Sequence, residues 1–168
     1  MQGGLALDDL QAFWAMAEHC WSDSGLQARL LQEQDARGLD VLWLLFVVWF
    51  PGRLTQVQWE QLRAAHQKDG QRQTLRLRCL RRRLRSTGWA EGYRALCALE
   101  IQSERHAAMQ LLLRARALAS GDVADAALAA RTLRLTRLFP ELPHALLGQL
   151  LHALPSEGGP VRRSDVFP

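Results

Sequence analysis

Gln34-Asp35-Ala36-Arg37-Gly38-Leu39-Asp40-Val41-Leu42-Trp43-Leu44-Leu45-Phe46-Val47-Val48-Trp49-Phe50-Pro51-Gly52 is the stretch whose reading decides the fold. Ten apolar residues, Val41 to Phe50, follow an acidic entry and run into a Pro-Gly stop. A helix that is apolar all round cannot lie on a surface, so the other elements must pack against it. A membrane helix needs about 20 apolar residues, so this run is too short to span a bilayer.

The rest of the chain suits a helical shell around that element. Leu, Ala, Arg and Gln dominate, and all are good helix formers. There is one Ile, no Asn, and no stretch alternating with the period of a strand. The expectation is an all-α fold: a single compact helical domain of seven or eight helices around a buried apolar helix at about 40–50. With 168 residues, 48% of them hydrophobic, the chain is long enough to bury a core. The domain is expected over 1–154. The segment 155–168, rich in Pro, Gly and Ser, reads as a flexible C-terminal tail.

Local signals divide the helices. Asp8 or Asp9 caps a first helix to about Trp21, with Leu10, Phe13, Trp14 and Ala17 at helical spacing. Asp23 or Ser24 caps a second helix, which Gly38 stops, and Asp40 caps the apolar third. Thr55 and Gln58 form a capping-box pattern for a fourth helix, and Gly70 reads as a weak break before a fifth. A sixth runs from about Ala90 to Leu118. A seventh, alanine-rich (Ala124, Ala126, Ala127, Ala129, Ala130), follows Asp122, and an eighth covers about His144 to Leu154.

Several function classes find no support. Cys20, Cys79 and Cys97 are odd in number and widely spaced, which argues against a disulfide framework and a cysteine zinc site. A reducing cytoplasm is the expected compartment. The first residues, Met1 to Asp9, place no basic region before an apolar stretch, so no secretory signal is expected. None of the five histidines falls in a metal-binding pair, and no phosphate-cradling glycine motif or nucleophile elbow occurs. No catalytic residue, cofactor or metal is expected.

The segments Phe13-Trp14, Leu30-Leu31-Gln32-Glu33-Gln34-Asp35, Gly38-Leu39-Asp40-Val41, Leu44-Leu45-Phe46 and Trp49 resemble an all-helical proteobacterial family of unknown function. Its members share a Phe-Trp, a Leu-Gln-Asp and a Gly-x-Asp-Val-Asn-Leu-Leu-Leu-Phe. Leu77-Arg78-Cys79-Leu80-Arg81-Arg82-Arg83-Leu84-Arg85 matches a further Leu-Arg-x-Leu-Arg-Arg-x-Leu element, and Leu99-Glu100-Ile101-Gln102-Ser103-Glu104 resembles a Glu-Leu-x-x-Glu-like stretch. The resemblance runs from about Leu10 to Leu113. It departs from the family pattern at Leu42, where the family has Asn, at Arg76, where it has Pro, and at Ser24-Gly25-Leu26, where it has Pro-Gly-Val. It implies a helical bacterial protein and no settled activity.

Charge supplies the functional candidates. Residues 1–70 hold nine acids and five bases, a net of −4, whereas residues 71–168 hold eight acids and sixteen bases, a net of +8. Eight arginines and one acid, Glu91, lie between Arg72 and Arg94. On a helix Leu77, Leu80 and Leu84 make a narrow apolar stripe. Arg78, Arg81, Arg82 and Arg85 flank it on one side, with Arg76 and Arg83 on the other. These arginines, with Trp89 and Tyr93, form a candidate macromolecule-binding site. The competing reading pairs them internally with carboxylates, and the local rather than domain-wide excess favours it.

A second candidate is a polar cluster of Asp35, Asp40, Glu100 and Glu104. Glu100 and Glu104 lie one turn apart on an otherwise apolar or small-residue stripe, where carboxylates are costly unless paired. The six tryptophans, five of them in the first 59 residues, read as core before they read as an aromatic ligand pocket. The leading expectation is a non-enzymatic cytoplasmic binding or adaptor protein that uses its Arg-rich face on another protein. Nucleic-acid binding through Arg72–Arg94 is the alternative. A helical-bundle enzyme or ligand carrier built on the carboxylates is the third reading.

Overall fold

The computed structural model describes residues 2–119 and 128–154, all helical or connecting, with no strand among them. The helices are α1 (Gln2–Ser22), α2 (Ser24–Arg37), α3 (Val41–Trp49), α4 (Gln56–Ala65), α5 (Arg72–Arg85), α6 (Ala90–Leu118), α7 (Leu128–Leu138) and α8 (His144–His152). A π-helical turn, His66–Gln71, joins α4 to α5 without a break. The all-α expectation stands. The expected tail and the expected start of the seventh helix lie outside the described residues.

α3 is the centre, and its ends are fixed by side chains. Asp40 caps its start, accepting from the Trp43 backbone N–H at 3.1 Å. Trp43, Leu44, Leu45, Phe46, Val47 and Val48 are all buried, so every side of the helix is covered. Phe13, Met16 and Cys20 of α1, Leu26 and Leu30 of α2, and Trp59 and Leu62 of α4 surround it. Leu111, Leu112 and Ala115 of α6, Leu135 of α7 and Leu146 and Leu150 of α8 complete the same core. Aromatic edges fill the interior: Phe13 meets Phe46 at 5.9 Å and Trp49 at 5.4 Å, and Trp43 meets Trp59 at 5.9 Å. No helix among the described residues is long and apolar enough to cross a membrane.

Other caps follow the sequence. Asp23 accepts from Gly25 and Leu26 at the start of α2, and Gly38 ends it at φ 69°, a left-handed conformation that glycine adopts without strain. Thr55 and Gln58 close a reciprocal capping box on α4. Arg134 was not expected inside. It is buried, and its guanidinium donates to the Val47 and Phe50 carbonyls at 3.0 and 2.7 Å, satisfying acceptors at the end of α3 that the helix leaves open.

Two boundaries need correction. α1 begins before Asp8 and Asp9, so neither caps it. Gly70 does not break the chain either; the helix widens into the π-turn there. A Cβ on Gly70 would stand 2.9 Å from His66 Nδ1 and 3.0 Å from Ala107 Cβ, so this glycine provides close packing against α6 instead of a stop.

Candidate functional site

α5 and α6 pack against each other as a hairpin joined by the turn at 86–88, and α5 otherwise packs on the π-turn. Between Leu62 and Ala107 the chain contributes no side chain to the buried apolar core. A polar seam joins the two helices of the hairpin. Thr74 and Ser103 are buried and share a hydrogen bond of 2.9 Å. Arg78 donates to Glu100 at 2.8 Å and to Glu104 at 3.0 Å. Arg81 donates to the other Glu100 oxygen at 2.6 Å and to the Tyr93 hydroxyl at 3.1 Å.

Glu100 therefore sits buried between two guanidiniums, which is the arrangement that makes a buried carboxylate tolerable. Burial works against the Arg81 charge, but the hydrogen bonds to Glu100 and Tyr93 outweigh it and hold its pKa above the usual guanidinium value. For Glu104, burial pushes the carboxyl above the ordinary carboxylate range. Arg78 pulls it back, and the nearby charges of Glu100 and Asp40 add to the rise.

This seam settles which face of α5 turns inward. Thr74, Arg78 and Arg81 follow one another at helical spacing and meet α6. The leucine stripe lies to the side of that line: Leu80 is 49% exposed, and Leu77 and Leu84 are only partly buried. On α6, Leu99 is 48% exposed and Leu96 partly buried. Leu75, Trp89 and Ile101 are exposed on the same hairpin.

The candidate arginines thus divide. Arg78 and Arg81 are spent on Glu100 and Glu104. Arg82 reaches Asp35 at 3.1 Å, but both side chains are mostly exposed, so the pair adds little stability. Arg85 is exposed and, with Arg72, Arg76, Arg83 and Arg94, has no ion-pair partner among the described residues. Tyr93 is tied to Arg81, whereas the exposed Trp89 indole lies over Gly92, where a Cβ would stand 2.4 Å from the ring.

The four carboxylates do not form one site. Asp35 is at the surface with Arg82; Glu100 and Glu104 share Arg78; Asp40 pairs with His66, whose Nε2 lies 2.8 Å from its Oδ2. The described residues hold no group of three or more His, Cys, Asp or Glu able to hold a metal ion. His66 is buried and stacks on Trp43 at 6.1 Å. Its Nε2–H donates to Asp40, and Nδ1 has no hydrogen-bond partner among the described residues. A cleft of about 360 Å³ adjoins this pair, bounded by the Gly38 turn, the π-turn and Phe139–Leu142. Glu33, Arg37 and Arg63 add both signs of charge to its wall.

Sequence reasoning missed His66, Arg134 and the Thr74–Ser103 contact as structural polar groups. The spacing of His66 and Gly70, one turn apart, was the available signal for the first. Nothing around Arg134 distinguishes it from the other arginines of α7.

Residues 12–111 match the family model described as protein of unknown function (DUF2390), more than half of the chain. The chain belongs to this family. The match takes in α2 to α5 whole, the second half of α1 and most of α6, hence the entire polar seam. The family segment ends before α7 and α8, so Arg134 and the loop bordering the cleft lie beyond it. No curated protein and no solved structure matches the chain.

Proposed function

We propose that this protein is non-enzymatic and acts by binding another protein through the α5–α6 hairpin. One observation carries the reading. The hairpin leaves Leu80 and Leu99 about half exposed on one side, together with five exposed arginines that have no ion-pair partner among the described residues, while a polar seam joins its two helices. Exposed apolar side chains rimmed by charge mark interaction surfaces. Burying Arg78 and Arg81 in ion pairs weakens the nucleic-acid reading, because the two arginines at the centre of the basic cluster no longer face out. The cysteines are free, which suits the reducing cytoplasm we propose as its compartment.

The test is affinity capture with the full chain as bait, compared with Arg76→Glu/Arg83→Glu, read by quantitative mass spectrometry after nuclease treatment. The expected result is a small set of proteins lost from the variant. Capture that disappears with nuclease, or is unchanged by the charge reversals, contradicts the proposal.

A further inference from the structure

We infer that the outer face of the α5–α6 hairpin is a docking groove for an acidic amphipathic helix of a partner protein; this rests on the protein-binding reading above. Helical geometry defines the groove. In two antiparallel helices that face each other through Thr74, Arg78 and Arg81 on one side and Tyr93, Glu100 and Ser103 on the other, Leu77, Leu80 and Leu84 fall on the same side as Leu99, while Leu96 lies within the seam. That side faces away from the core. The opposite side carries Arg82, which reaches Asp35 of α2, and continues into Ala108 and Leu112 in the core. The leucines of α5 and Leu99 of α6 therefore border the groove, and Leu80 and Leu99, each about half exposed, stand open in it.

A groove between two helices is filled best by a third helix, whose apolar residues at i, i+3, i+4 and i+7 drop between Leu80 and Leu99. Charge selects which helix. Arg76 and Arg83 lie seven residues apart on the outer rim of α5, exposed and without ion-pair partners among the described residues. On the α6 rim the residues beside Leu99 are Ala95, Gln102 and His106. The rim is thus cationic on one side and carries no carboxylate, so glutamates flanking the partner's apolar stripe would meet Arg76 and Arg83. A second copy of this hairpin is the wrong occupant, because it would set those arginines against each other. Nucleic acid is also disfavoured, because the groove floor is leucine.

The probe is a fluorescein-labelled helical peptide of about 20 residues with Leu at i, i+3, i+4 and i+7 and Glu on its flanks. It is titrated into the full-length chain alongside a scrambled peptide of the same composition and a version with Lys for Glu. The expected result is saturable binding that weakens with salt and is about tenfold or more tighter than either control. Leu80→Gln/Leu99→Gln should weaken it about tenfold, and Arg76→Glu/Arg83→Glu should also remove its salt dependence. Circular dichroism of each variant confirms that it is folded; these side chains are exposed, so folding is expected to persist.

Equal binding of the scrambled or Lys peptide, or no binding at all, overturns the inference. So does a concentration-dependent dimer in sedimentation that Leu80→Gln/Leu99→Gln dissociates, or RNA that competes the peptide away. If proteins captured by the bait depend on Arg76 and Arg83 but survive Leu80→Gln/Leu99→Gln, the groove is wrong and protein binding stands. If both variants retain them, both readings fall.

Discussion

Arg81 Nε lies 2.6 Å from Glu100 Oε2, and this contact decides the orientation of the arginine-rich helix. Glu100 is buried at the interface of α5 and α6 and takes a second guanidinium, Arg78, on its other oxygen. The helix must therefore turn Thr74, Arg78 and Arg81 inward, and its leucines are left at the side. Removing Glu100 leaves two partly buried arginines without their shared acceptor. Glu100→Ala is expected to cost about 2–4 kcal/mol of unfolding free energy. Arg81→Ala is expected to cost less, because Arg78 still holds Glu100. In urea unfolding of the single and double variants, the pair should show a coupling of about 1–2 kcal/mol. Simple additivity would mean that the seam is not cooperative.

Glu104 gives the hairpin a pH signature. Its carboxyl titrates above its ordinary value of 4.5 in the folded chain. The folded state then binds more protons than the unfolded state between 4.5 and the raised value, so this residue's contribution to stability falls as pH rises through that window. Glu104→Gln removes the effect. The difference in unfolding free energy, parent minus variant, should decline as pH is raised from 4.5, measured by urea unfolding in steps of pH. A difference that grows with pH would show that Arg78 dominates and lowers the carboxyl instead.

Asp40 works twice, as the cap of α3 and as the acceptor for buried His66. Asp40→Ala should cost about 1 kcal/mol for the cap and about 1–3 kcal/mol more for leaving the imidazole unpaired. Asp40→Asn keeps a capping oxygen and an amide next to His66 and should recover a substantial part of the loss. Thermal denaturation of both variants checks this; equal losses would mean that the charge, and not the hydrogen-bond geometry, matters.

Arg134 closes the other end of α3. Arg134→Met preserves much of the volume but leaves the Val47 and Phe50 carbonyls without this donor, at a cost of about 2–4 kcal/mol. Urea unfolding measures it, and a change below about 0.5 kcal/mol, typical of a surface substitution, would place Arg134 outside the core.

The central helix and its caps were legible because they are local. Ten apolar residues after Asp40, Thr55 with Gln58, and Gly38 after Arg37 each carry their own reason. The orientation of α5 was not, because Leu77, Leu80 and Leu84 form an amphipathic stripe whichever side faces inward. The choice is made by Glu100 and Glu104, about twenty residues further on, and only their burial reveals it. The π-turn escaped because Gly70 has the same letter whether it stops a helix or makes room for His66 and Ala107. Arg134 escaped because its partners are backbone carbonyls, which no residue pattern displays. Of the candidate site, Arg78, Arg81, Glu100, Glu104 and Tyr93 come together, while Asp35 and Arg82 pair at the surface and Asp40 belongs to His66.

The orientation of α5, with Thr74, Arg78 and Arg81 meeting α6 and Leu80 turned outward, is tested most directly by the unfolding free energy of Leu80→Gln/Leu99→Gln. Side chains that face solvent should be exchanged at a cost of no more than about 1 kcal/mol for the pair. A loss of about 4 kcal/mol or more, the scale of core truncation, would place both leucines in a packed interior and contradict the polar seam.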